Sequence, residues 1–245
     1  MNPIALGLIL LTTGLLLGIT FLRRRFNGAF RPIQAYDRLN RAVGLSVESG
    51  TRLHFSLGRG NLFTTRGASA LAGLAMLRKL SERTSLSDRP PIVTSGDASL
   101  AILSQDTLQS GYRAAAAEDQ YRFSTGRLTG LTPFSYAAGT IPVTRDESVS
   151  TNVFIGDFGT ESALIVEPSE RENSALIAAS DNLSAQSVFY ATSHDPLIGE
   201  ELFAAGAYVG AGVAHDASLN VQDILRWLII VAILAGSFLK LVGAF

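Results

Sequence analysis

Two long apolar runs bound the chain, and shorter apolar patches alternate with polar stretches between them. The first run, residues 3–22, carries no charged side chain. About 20 apolar residues cross a hydrocarbon core of roughly 30 Å at about 1.5 Å per helical residue. The second run, residues 224–245, contains Arg226 and Lys240. The stretch between these cations reaches only about 20 Å as helix, whereas the whole run reaches about 33 Å, so both can extend toward opposite headgroup layers. Trp227 suits the level of Arg226. The run is apolar all round, which favours spanning over lying in the interface.

Between the runs the period switches repeatedly between helical and extended. Tyr36, Leu39, Val43 and Val47 recur at helical spacing before Gly50. Residues 53–57 predict a buried strand ending at Gly58. Ser69 is placed to cap a helix with Leu71, Leu74 and Leu77, and Asp97 one with Leu100, Leu103, Leu108 and Tyr112. Further strands are expected at 91–94, 121–123, 152–155 and 174–179. A helix should start at Thr132-Pro133 and be disturbed at Pro142. Another should run over 160–167 and stop at Pro168, with two more over 185–192 and 197–213. Strands alternating with helices predict a Rossmann-like α/β domain, with a mostly parallel sheet of four or five strands. The expected organisation is a transmembrane helix over 1–22, a basic juxtamembrane segment and helix over 23–50, the α/β domain over 51–216, and a linker with a second transmembrane helix over 217–245.

Charge orients this arrangement. Arg23, Arg24 and Arg25 follow the first run directly, and no basic side chain precedes it. These flanks favour an uncleaved anchor over a signal peptide. By the positive-inside rule they place the central domain in the cytoplasm, with Arg226 on the same side and both termini outside. The 20 Lys and Arg against 21 Asp and Glu leave no basic footprint for nucleic acid. Cysteine is absent from the sequence, which excludes disulfides and thiolate metal sites.

Ligands of doubly wound sheets bind outside the carboxyl ends of the strands. Gly58, Gly60, Asp97 and Asp157 fall there and are the candidate ligand-binding residues. The loop at Gly58 is neither a dinucleotide fingerprint, because Phe63 replaces its third glycine, nor a Walker loop. Turn glycines and a helix cap account for the same residues. His54 lies inside a strand and reads as a hydrogen-bonded core imidazole. His194, Asp195, Glu200 and Glu201 have no metal-site spacing of the His-Glu-x-x-His kind. No catalytic constellation, metal site or cofactor is assigned. Small residues form a further pattern. Gly14 and Gly18 in the first run and Gly206 and Gly210 in the domain are spaced for close helix packing, as are Ala232 and Gly236.

The stretches LHFSLGRG, ALAGLAML, IVTSGDASL, NVFIGDFGTESALI, HDPLIGEELFAAGAYVG and ASLNVQD together resemble an uncharacterised family of bacterial membrane proteins, known as a domain of unknown function. The resemblance runs from about Ala35 to the second apolar run, and LIGEELFAAGAY is its most specific part. It implies a bacterial inner-membrane setting and carries no activity. Two functions are therefore expected. One is a homo-oligomeric scaffold in the lipid bilayer, with other membrane subunits as possible partners. The other is a nucleotide- or phosphate-binding module using the crevice at the strand ends.

Overall fold

The computed structural model describes residues 3–23, 30–64 and 67–241. These form two compact units, an α/β unit from Arg31 to Ala211 and a helical unit made from the two ends of the chain.

The α/β unit holds a five-stranded sheet of β1 (Arg52–Gly58), β2 (Ile92–Ser95), β3 (Gly126–Leu128), β4 (Val149–Asp157) and β5 (Ala175–Ser180). Every pairing is parallel, and the order is β3-β2-β1-β4-β5. Order reverses between β1 and β4, the switch point of a doubly wound sheet. The intervening helices are α2 (Gln34–Glu48), α3 (Gly67–Thr84), α4 (Ala98–Ala114), α5 (Pro133–Asp146), α6 (Ser162–Arg171), α7 (Leu183–Thr192) and the short α8 (Ala205–Tyr208). Strands β1 and β4 are buried on both faces, as central parallel strands under helices must be.

Alternation along the strands divides the core. Leu53, Phe55, Leu57, Val153 and Ile155 pack with Tyr36 and Leu39 of α2 and Leu74, Leu77 and Leu80 of α3. On the other face Phe154 and Ala178 meet Tyr136, Phe158, Ile165 and Phe189. That second face also carries a polar seam. His54 bonds Asn152 at 2.7 Å and Thr94 at 2.9 Å, Thr94 bonds Ser56 at 3.1 Å, and Ser56 bonds the Tyr136 hydroxyl.

Several local expectations are corrected. Residues 121–123 are not a strand: 3-10 turns occupy Glu118–Gln120 and Phe123–Thr125, and the strand follows as β3. Helix α3 has already begun at Gly67, so Ser69 lies within its first turn. Helix α6 does not stop at Pro168 but runs through it, while α5 contains Pro142, which lacks the N–H for its helical bond. The carbonyls these prolines leave without a donor belong to Ala138 and Leu164, both on exposed positions where water can reach. Residues 197–213 are not one helix but a 3-10 segment, Gly199–Ala204, followed by α8. Residues 31–50, which include α2, fall within the compact α/β unit.

In the helical unit, α1 (Pro3–Arg23) lies against α9 (Val213–Leu241). The expected linker at 217–223 is helical and continuous with the second apolar run. Both helices are long and apolar enough to cross a membrane, and their most apolar windows are unburied. Thr12 and Thr20 donate to carbonyls one turn earlier, so neither hydroxyl needs water.

Candidate functional site

At the carboxyl edge of the sheet, the switch point brings the ends of β1 and β4 together. Gly58 has a φ of 70°, and a Cβ there would lie 2.2 Å from the Asp157 carbonyl oxygen. The Arg59 N–H donates to that carbonyl at 2.8 Å, and the Gly96 N–H donates to the Gly58 carbonyl at 2.8 Å. Gly58 is thus required by left-handed backbone and by close strand approach. Gly60 is buried just beyond it.

Arg59 then crosses the crevice. A Cβ on Gly96 would lie 2.3 Å from Arg59 Cγ, so the arginine stem occupies the space above the β2–α4 turn. Its Nε donates to Glu161 Oε1 at 2.9 Å, and that carboxylate is 2% exposed. Burial pushes the Glu161 carboxyl up, but the Arg59 guanidinium and the Gly159 N–H outweigh it and hold it below the usual carboxylate range.

Asp97 caps α4. Its Oδ1 accepts from the Ser99 N–H at 2.9 Å, the Leu100 N–H at 3.2 Å and the Ser99 hydroxyl. A phosphate at this helix start would face a carboxylate already seated on the free N–H groups. The structure therefore gathers Gly58, Gly60, Asp97 and Asp157 at one edge, as the sequence predicts. It also engages their neighbours internally, through backbone approach, a cap and an Arg59–Glu161 pair that sequence patterning missed. Arg59 and Glu161 lie 102 positions apart, and no local signal joins them.

The other expected sites are placed as follows. His54 sits inside β1, fully buried between Asn152 and Thr94. Asp195 pairs with Arg38 at 2.8 Å and Glu201 with Arg31 at 2.6 Å. Gly206 is buried in α8, but Gly210 lies beyond the helix in left-handed backbone. These two glycines therefore do not form a helix-packing face, which corrects that expectation. Gly14 and Gly18 do lie on α1. A Cβ at either, or at Gly236 of α9, meets nothing within 4 Å among the described residues. Arg23 ends α1, Arg226 and Lys240 lie on α9, and Arg24 and Arg25 lie outside the described residues.

The sequence stretch 197–208 closes the first core face. Leu197 and Leu202 are fully buried, the Tyr36 hydroxyl donates to the Glu201 carbonyl at 2.6 Å, and Tyr208 stacks on Tyr36 at 4.8 Å. With this geometry in place, the family match covers residues 2–245. The chain belongs to the family described as Domain of unknown function (DUF6754). No curated protein and no solved structure matches it. The family's description names no activity, so function has to be argued from the geometry itself.

Proposed function

We propose that this is a two-pass protein of the bacterial inner membrane, with its α/β domain in the cytoplasm, that assembles into a homo-oligomeric scaffold through its first span. The observation that carries this reading is the open glycine face of α1. Leu10, Leu11, Gly14, Leu15, Gly18 and Leu22 line an apolar groove of about 440 Å³ in the helical unit. Glycines without neighbours allow another helix backbone to approach closely, and van der Waals packing of that kind is one of the forces that associate helices in lipid. Gly14 and Gly18 are exposed, whereas Thr12, Leu15, Leu16, Ile19 and Thr20 are half-buried. The arginines after the first run support the orientation. Other membrane subunits could occupy the same groove.

The test is the mass of the full chain in lipid nanodiscs. The wild type should form a defined oligomer, and Gly14→Leu with Gly18→Leu should dissociate it without changing the unfolding of the α/β unit. A wild type that remains monomeric at every concentration sinks the scaffold reading. Orientation is tested separately, by exploiting a sequence without cysteine. A Ser187→Cys variant should react with an impermeant maleimide only after the cells are opened, and labelling of intact cells would reverse the topology.

A further inference from the structure

The amino edge of the sheet, opposite the Arg59–Glu161 crossing, is notched. Strand β2 begins at Ile92, which pairs with His54, so β1 extends beyond it to Arg52. The residues before Ile92 are Pro90 and Pro91, which have no N–H to extend the ladder. The notch is flanked by Arg52 of β1 and Arg127 of β3. Glu147 bridges them, with Oε2 3.1 Å from Arg52 Nη1 and Oε1 2.5 Å from Arg127 Nη1.

A cavity of about 470 Å³ opens in this notch. That volume lies within the range of small-molecule sites. Among the described residues, two donors in its lining have no partner. Arg52 Nε and the Tyr112 hydroxyl are each buried at the atom level without a hydrogen bond, and Tyr112 is only 1% exposed. A guanidinium Nε can only donate, so whatever satisfies it must offer an acceptor. Arg122 at the mouth is exposed and has no ion pair among the described residues. Three arginines line the cavity, two of them paired with Glu147. Asp88 and Asp119, also at the mouth, can accept from hydroxyl groups.

We propose that this notch binds the oxyanion, phosphoryl or carboxylate, of a small hydroxyl-rich molecule. Arg52 Nε, the Tyr112 hydroxyl and Arg122 receive the anion, and Asp88 and Asp119 take the hydroxyls. Burial lowers the pKa of the Arg52 guanidinium and pushes the Tyr112 phenol up to about 12, so Tyr112 stays protonated as a donor. The site is separate from the carboxyl-edge crevice, and it does not depend on the scaffold reading.

Calorimetry on the full chain in nanodiscs, with glucose 6-phosphate, gluconate and glucose as probes, tests this. Saturable binding of at least one of the two anions is expected, weakening with added salt, with none for neutral glucose. Glucose 6-phosphate alone would assign a phosphoryl group, and gluconate alone a carboxylate. Tyr112→Phe should weaken binding roughly tenfold without lowering the Tm, because it removes a hydroxyl that has no partner among the described residues. Arg122→Ala, at an exposed position, should also weaken binding and leave unfolding unchanged. Neither anion binding in the millimolar range, glucose binding equally well, or both variants binding as wild type would each overturn the assignment.

Discussion

His54 is held as a neutral imidazole by its surroundings. Asn152 Nδ2 lies 2.8 Å from Ser174 Oγ, which turns the Asn152 oxygen toward His54 Nδ1. Nδ1–H therefore donates, and Nε2 faces the Thr94 hydroxyl at 2.9 Å. Burial lowers this pKa to about 4, against a partial opposing effect of the Asn152 hydrogen bond. Below about pH 6.5 the unfolded chain binds a proton that the folded chain refuses. Stability should therefore fall as pH drops from about 6.5 to 4, by about 3 kcal/mol in total. Urea unfolding across that range, compared with His54→Gln, measures it, and an identical slope in the variant would contradict it. Glu161 acts in the same direction but lower on the scale. Its carboxyl is depressed in the folded state, so its contribution is present above the ordinary carboxylate pKa and is lost as pH falls through the lowered value.

Among the elements, α4 depends most visibly on a single side chain. Asp97→Ala removes the carboxylate oxygen that accepts from the Ser99 and Leu100 N–H groups and should cost about 1 kcal/mol, read as a lower urea midpoint with an unchanged slope. Asp97 was legible because an acid directly before a helical period has few other meanings. Strands β1, β4 and β5 were legible for a similar reason, since each is an apolar run flanked by turn residues. Strand β3 was not, because three residues carry no period and only pairing with β2 defines them. Pro168 misled because α6 tolerates it where the carbonyl it frees, on exposed Leu164, can be solvated. The amino-edge notch was illegible because Arg52, Tyr112 and Arg127 are distant in sequence and meet only through the strand order.

At the scale of the whole molecule, the α/β unit contains both core faces within Arg31–Ala211. A fragment of those residues should fold alone with one cooperative transition, and loss of that transition would show that the end helices are needed for folding. The 29 residues of α9 reach about 43 Å, roughly 13 Å more than a hydrocarbon core, so a span of that thickness leaves about nine residues over, and Asp216 lies in the first turn of the helix. The α/β unit begins and ends at one place. The Tyr208 hydroxyl donates to the Arg31 carbonyl at 2.5 Å, beside the Arg31–Glu201 pair. That clasp has a mechanical consequence. Lateral tension pulling the two ends of the unit away from each other falls first on these few bonds, which can break in succession at low force. The parallel sheet behind them carries load only after the clasp has opened, so the fold has a weak link placed in series ahead of its core.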